Sequence, residues 1–197
     1  MMSSDDGILE TLRASGALKD GHFLLSSGRH SDRYIEKFDL LRQPRATSVA
    51  CALIAERVAD RAIDVVVGPT TGGVILAFEV ARQLGVDAAY AERIRGTGSD
   101  REFRRGTTFR KGARVLVVDD ILTTGGSVRE TLAALARHDV EVAGVALLVD
   151  RSGGTADIGA PSFSLVTMDI STWDAENCPL CARGELLVKP GTTPGRV

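Results

Sequence analysis

Between Val115 and Glu130 the chain reads Val-Leu-Val-Val-Asp-Asp-Ile-Leu-Thr-Thr-Gly-Gly-Ser-Val-Arg-Glu, and few folds accommodate such a run. Four apolar residues, Val115 to Val118, predict a strand covered on both faces, as in a parallel sheet. Asp119 and Asp120 fall where that strand is expected to end. Thr123, Thr124, Gly125, Gly126 and Ser127 form a hydroxyl- and glycine-rich turn, and Val128, Leu132 and Leu135 continue at helical spacing. A turn of this kind entering a helix offers backbone N–H groups, hydroxyls and the positive end of the helix dipole, which together suit a phosphate monoester. Two carboxylates beside a bare phosphate would repel it. They make chemical sense when the phosphate is carried by a sugar whose hydroxyls donate to the acids. The segment therefore predicts a grip for ribose 5-phosphate beyond the carboxyl end of a strand, where open α/β sheets bind ligands.

The bulk properties narrow the classes. A chain of 197 residues suits one domain with its own core. Its net charge of -2 gives no electrostatic case for nucleic acid. No apolar run approaches the ~20 residues of a membrane span, and the start Met1-Met-Ser-Ser-Asp-Asp6 lacks the pattern of a signal peptide. Cys51, Cys178 and Cys181 do not make a disulfide framework. A cytoplasmic location is expected.

Periodicity predicts a helix from Ile8 to about Gly16, two short strands within 21–28 and 33–38, and a helix from Pro44 to about Asp60. From Ile63 onward strands and helices alternate: strand 63–67, helix 74–84, strand 88–91, strand 114–118, helix 127–138, strand 142–149 and strand 164–168. This rhythm predicts an α/β fold with a mostly parallel central sheet flanked by helices and right-handed crossovers. The expected organisation is a single domain over 1–183, with a small N-terminal hood at about 1–42, a core at about 44–170 and a loose tail over 184–197.

Three further features bear on chemistry. Gly68-Pro-Thr-Thr-Gly-Gly73 again follows an apolar strand and opens a helix, so Thr71, Gly72 and Gly73 are candidates to cradle a diphosphate. Residues 93–106 lack periodicity and carry Arg93, Arg95, Arg101, Arg104 and Arg105; they read as a mobile lid bringing guanidinium groups onto a departing diphosphate. Asp150-Arg151 ends a hydrophobic strand, and the guanidinium fork of Arg151 suits a carboxylate on the acceptor.

The run 115–130 resembles the phosphoribosyl-diphosphate signature of the type I phosphoribosyltransferases. The segment Gly21-His-Phe-Leu-Leu-Ser-Ser-Gly-Arg-His-Ser-Asp-Arg-Tyr34 is similar to the hood of the orotate-specific branch, and the ending Cys178-Pro-Leu-Cys181 with Lys189-Pro-Gly191 looks like one bacterial group within it. The resemblance implies a type I phosphoribosyltransferase fold. It implies transfer of ribose 5-phosphate from phosphoribosyl diphosphate to orotate, giving orotidine 5′-monophosphate and diphosphate in pyrimidine synthesis, with Mg²⁺ as cofactor. Position by position, Asp119 and Asp120 would hold the ribose hydroxyls, and Ile121, Leu122, Thr123, Thr124, Gly125, Gly126 and Ser127 would wrap the 5′-phosphate. Thr71, Gly72, Gly73 and Arg93 would complete the donor site. Ser26, Tyr34, Thr123 and Arg151 would meet orotate, and Arg95 and Arg101 stand as the catalytic lid residues. The family usually works as a homodimer with the lid contributed across the interface.

The chain departs from the family's pattern in three places. Ser26 and Gly72 stand where the family has lysines, and the lid offers arginines in place of lysines and a histidine. Arginine supplies charge but does not donate a proton at neutral pH. Of 24 basic residues only Lys19, Lys37, Lys111 and Lys189 are lysines. Two other readings compete: transfer to a purine base, and a non-catalytic sensor of phosphoribosyl diphosphate that regulates transcription. The sensor would need a DNA-binding unit or a basic face.

The pair Cys178-x-x-Cys181 is short of the four ligands a structural zinc requires, because only Cys51 and three scattered histidines, His22, His30 and His138, remain. The thiols are read as packing and turn residues, with pooling of pairs between two subunits as the alternative. No protein-ligated metal is expected.

Overall fold

The computed structural model describes residues 4–94, 96 and 100–190, with side chains from residue 7 onward. After helix α1 (Ser4–Ala14), strands β1 (Leu18–Leu24) and β2 (His30–Ile35) form an antiparallel hairpin. Helices α2 (Lys37–Leu41) and α3 (Pro44–Val58) follow. The βα rhythm begins with β3 (Val65–Pro69), α4 (Gly72–Leu84) and β4 (Asp87–Arg93). Then come β5 (Arg101–Phe103), β6 (Ala113–Leu122), α5 (Gly126–Leu135), β7 (Val140–Asp150) and β8 (Ser162–Thr167). The chain closes with β9 (Thr172–Trp173), a 3₁₀ turn at Ala175–Asn177 and α6 (Pro179–Ala182).

The central sheet has the order β5-β4-β3-β6-β7-β8, parallel except for β5. Strand β3 feeds β4 on one side, while β6 lies on its other side. The order reverses between β3 and β6, so a crevice opens at their carboxyl ends. Both glycine turns of the sequence lie there.

The sheet is covered on both faces by separate apolar clusters. Val66, Leu116, Val118, Ala146 and Leu148 pack with α1, α3 and α4, through residues such as Leu12, Ile54 and Leu76. Val67, Val115, Val117, Val145 and Leu147 pack with Val128 and Leu135 of α5. The period-2 alternation of a strand assigns successive residues of β6 to opposite clusters. This continuous run of valine and leucine is the signature of strands buried on both faces.

Several sequence expectations need correction. Residues 93–106, read as a mobile lid without periodicity, are framed by antiparallel pairing of Ala91, Glu92 and Arg93 with Phe103, Glu102 and Arg101. The ring of Phe103, 4.9 Å from Phe109 and 5.6 Å from His138, packs that hairpin onto the end of α5. The hood is not confined to 1–42, because β9 joins β2 through His30↔Trp173 and Ser31↔Thr172. The tail is not loose up to residue 190 either: Val188 N–H donates to the His22 carbonyl and Leu24 N–H to the Val188 carbonyl, each at 2.8 Å. Backbone pairing between segments ~150 residues apart leaves no local periodicity to read. No helix among the described residues is long and apolar enough to cross a membrane.

Candidate active site

Strand β6 continues through the acids, so Asp119 and Asp120 lie within the ladder, not after it; Asp119 faces Leu147 in the register. Strand alternation then sends their side chains to opposite faces. Asp119 follows Val115 and Val117 to the α5 face. There it lines a cavity of ≈ 300 Å³ together with Arg93, Ile121, Leu122, the turn Thr123–Ser127, Val128 and Glu130. Asp120 follows Leu116 and Val118 to the hood face. The two acids expected to hold the ribose hydroxyls thus leave the strand on opposite faces.

Their surroundings differ in kind. Asp119 Oδ1 accepts from the Asp120 backbone N–H at 2.9 Å. Burial, and then the neighbouring Asp120 carboxylate, push the Asp119 carboxyl up to about 7, against smaller opposing effects of Lys37 and Arg101. Asp120 Oδ1 accepts from Ile121 N–H at 2.7 Å and from Lys37 Nζ at 3.1 Å, and the same ammonium lies 3.0 Å from Asp120 Oδ2. Lys37 begins α2, directly after hood strand β2. It is a residue the sequence reading missed, and nothing local to position 37 announces a carboxylate 83 positions away.

The turn after β6 leaves the N-terminus of α5 open to the cavity. Gly125 has φ +78° and forms the N-cap of α5 without a side-chain cap. A Cβ at Gly125 would lie 2.7 Å from Ile158 Cγ2 and 2.9 Å from Arg129 Nη1, so both the backbone and the space demand glycine. Thr123 and Thr124 are exposed and Ser127 is partly so, leaving hydroxyls and the uncapped helix N-terminus facing the cavity.

The second turn sits beside Asp120. The α4 N-cap Thr71 is exposed and makes no capping bond, the Thr70–Thr71 peptide is cis, and Gly72 and Gly73 are buried. A Cβ on Gly72 would stand 1.8 Å from Asp120 Oδ2. Glycine is therefore needed for the backbone to approach the carboxylate, and the lysine of the family's pattern does not fit at this position in this packing.

Arg101 is the clearest departure from expectation. It is not a lid residue but 2% exposed, with its guanidinium 2.9 Å from Glu130 Oε2. It also donates to Thr70 Oγ1 at 3.2 Å and the Ala91 carbonyl at 3.1 Å, and lies 3.5 Å from Ser127 Oγ. The side chain ties the two glycine turns together. Arg104 and Arg105 are held by Glu102 and Glu92 on the hairpin surface. Arg95 lies outside the described residues.

At the end of β7, Asp150 does not pair with Arg151. Its carboxylate accepts from Ser152 N–H and Ser152 Oγ, both at 2.7 Å, and from Gly154 N–H at 3.1 Å. Arg151 is anchored by its backbone N–H to the Leu122 carbonyl at 2.8 Å, next to the turn Thr123–Ser127. Its Nε is buried and has no hydrogen-bond partner among the described residues. Burial lowers the Arg151 pKa, and the Tyr34 hydroxyl opposes that shift. Burial, then Glu36, raises the Tyr34 pKa, while Lys19 and Arg151 lower it. The Tyr34 ring leans on Phe23 with centroids 5.7 Å apart. The structure thus places Tyr34 in the electrostatic reach of Arg151, whereas Ser26 stays exposed at the tip of the hood hairpin.

Comparison with known proteins bears on this arrangement. A model described as the phosphoribosyl transferase domain matches residues 39–181. The chain is 43% identical over 187 residues to an orotate phosphoribosyltransferase of Caldicellulosiruptor bescii, covering 95% of this chain and 97% of that protein. It is 45% identical to the orotate phosphoribosyltransferase of Caldanaerobacter subterraneus, over 94% of this chain and 96% of that one. The crystal structure of orotate phosphoribosyltransferase from Aeropyrum pernix superposes with a TM-score of 0.68 at 32% identity, covering 82% of this chain and 93% of that one.

Proposed function

The chain belongs to the phosphoribosyltransferase family, in its orotate branch, and from that premise we infer which of its residues carry out the reaction. The enzyme transfers ribose 5-phosphate from phosphoribosyl diphosphate to orotate, forming orotidine 5′-monophosphate and diphosphate in pyrimidine biosynthesis. The observation that carries the site assignment is the convergence, at one sheet edge, of a hydroxylated helix-opening turn, a cavity carboxylate and a guanidinium with an unmatched N–H.

The turn Thr123–Ser127 holds the 5′-phosphate, with Ile121 and Leu122 setting its position at the strand end. Asp119 accepts hydrogen bonds from the ribose hydroxyls, which favours its ionised form once the donor is bound. Asp120 holds Lys37, and through it the hood, against the donor from the other face. Thr71, Gly72 and Gly73 present the uncapped N-terminus of α4 to the diphosphate, and Arg93 adds positive charge at the cavity rim. Arg151 binds the orotate carboxylate, Thr123 reaches the same ligand, and Tyr34 covers its ring. Departure of diphosphate leaves positive character on the ribose, and N1 of orotate attacks from the side where Arg151 and Tyr34 hold it; alignment is the main contribution.

The oxygen donors at this edge fit a hard cation carried mainly by the substrate's phosphates, since Asp119 resists ionisation and Asp120 is engaged by Lys37. Mg²⁺, when bound there, supplies neutralisation of the diphosphate charge. The exposed apolar side chains Val49, Ile75 and Phe78 on α3 and α4 support a homodimer through that face. The lid contribution across the interface, with Arg95, concerns residues outside those described. Free Cys51, Cys178 and Cys181 suit a reducing, cytoplasmic setting.

Following the loss of orotate absorbance with phosphoribosyl diphosphate and Mg²⁺ tests the assignment. Turnover is expected with orotate and not with hypoxanthine, adenine or uracil. Turnover with a purine alone would overturn it.

A further inference from the structure

Outside the residues that line the cavity beside β6, the hood gathers four side chains that the sequence scatters over 160 positions. His22 lies on β1, His30 opens β2, and Cys178 and Cys181 bracket the start of α6. His22, Cys178 and His30 are 3%, 3% and 5% exposed. Their ligand atoms, with the Cys181 sulfur, all lie within 4.8 Å of one another.

The geometry points to a tetrahedral Cys₂His₂ zinc site. In a tetrahedron the distance between ligand atoms is about 1.6 times the metal–ligand bond. With bonds of about 2.0–2.1 Å to nitrogen and about 2.3 Å to sulfur, this gives about 3.3 Å for N···N and about 3.6 Å for S···N. The protein has His22 Nε2···His30 Nδ1 at 2.9 Å, Cys178 Sγ···His22 Nε2 at 3.5 Å, Cys181 Sγ···His22 Nε2 at 3.7 Å and Cys181 Sγ···His30 Nδ1 at 3.3 Å. All four separations stand within half an ångström of those values.

The protonation pattern agrees. His22 Nδ1 lies 2.9 Å from the Glu185 carbonyl. A carbonyl only accepts, so Nδ1 carries the proton and Nε2 turns its lone pair into the cluster. An outward N–H fixed by a backbone carbonyl is how metal-binding imidazoles are commonly oriented. Without a cation, the His30 N–H and two thiols compete for that one lone pair. With one, four lone pairs share a single acceptor.

The ligands also sit on paired or helical backbone. The irregularity in the β1–β2 ladder between Asp20 and Phe23 leaves His22 and Phe23 both buried, although they are consecutive strand residues. The x-x spacing across the first turn of α6 brings Cys178 and Cys181 to one side, and β9 with Val188 brackets the pair against the hood. A bound zinc ion closes a loop of ~150 residues and fixes the hood that carries Tyr34 and Lys37, so its role is structural, with all four positions filled by protein.

The test is metal analysis of the full-length chain, purified without chelator or a metal-affinity step. About one zinc per chain is expected, and loss of the metal in both Cys181→Ser and His30→Ala. Reconstitution of stripped protein with Co²⁺ alone should give the visible d–d bands of a tetrahedral site and a thiolate charge-transfer band that Cys181→Ser diminishes. Stripping should lower the thermal midpoint by at least about 5 °C, with recovery on adding Zn²⁺ alone. A metal-free protein that binds neither Zn²⁺ nor Co²⁺ on titration would overturn the inference, as would a Cys178–Cys181 disulfide in the native chain or one zinc shared by two chains. Because the readout is metal content and spectrum, its outcome is separate from that of the orotate assay.

Discussion

Asp119 and Asp120 are chain neighbours, yet the α5 face of β6 and the hood face give them different work. On the α5 face the cavity is mostly local: Asp119, the hydroxylated turn and Glu130 come from one strand–turn–helix unit of 12 positions, and Arg93 joins them from β4. On the hood face Asp120 is met by Lys37 and Gly72, from two other elements, α2 and α4. One face presents a cavity built mainly from a contiguous motif. The other is an assembly joint, where a charge inside the sheet is matched by a charge delivered from the hood.

The largest effect should separate the two faces directly. Asp119→Asn is expected to lower turnover by roughly 10³-fold with the fold intact, since it removes the carboxylate charge and replaces one of its acceptor oxygens with an NH₂ donor. Asp120→Asn should instead lower the thermal midpoint as well, by releasing Lys37 and loosening the hood. Equal kinetic and thermal effects of the two variants would erase the distinction.

Arg101→Ala probes the tie behind the cavity. Removing a guanidinium 1% exposed at its side chain, and leaving Glu130 at 16% without its partner, should cost about 3–5 kcal/mol in urea unfolding. Stability within error of the parent would return Arg101 to a lid role.

On the hood face, Gly72→Lys restores the residue type of the family's pattern but puts a Cβ 1.8 Å from Asp120 Oδ2. Activity is expected to fall by about 100-fold. A gain in activity would show that the turn repacks freely. Arg151→Ala should raise the KM for orotate by roughly 10- to 100-fold, the worth of a charge-assisted pair, with the KM for phosphoribosyl diphosphate nearly unchanged.

The smallest effect is a pH dependence. Because burial raises the Asp119 carboxyl to about 7, kcat/KM for the donor should rise with one-proton steepness up to about pH 7 and then level off. Stability of the donor-free protein should move the opposite way. A carboxyl whose pKa is raised by folding favours the folded state fully below its unfolded value of about 4, and that contribution disappears as pH passes about 7. Asp119→Asn should abolish both trends, and a pH profile of Asp119→Asn parallel to the parent would assign the titration elsewhere.

The parallel strands and the helices from Ile63 to Thr167, β5 excepted, the buried character of β6 and the glycine turn that opens α5 are legible in the chain, because each rests on contacts within a few residues or on period-2 and period-3.6 spacing. What stayed hidden rests on contacts between distant segments. The arginines of 93–106 carry no mark that one of them, Arg101, turns inward to Glu130 while Arg104 and Arg105 remain outside. Residues 172–188 look like a trailing segment until β9 and Val188 are found paired with the hood.

The same division separates the acids and the cysteines. Sequence alone determined that a carboxylate pair follows an apolar run and precedes a hydroxylated glycine turn opening a helix, since the covalent neighbourhood acts at short range. Tertiary structure decided that the carboxylates face opposite ways, that Lys37 answers one of them, and that His22 and His30 stand beside Cys178 and Cys181. Those outcomes depend on which distant surfaces bury each other, a property of the whole packed chain that no local window contains.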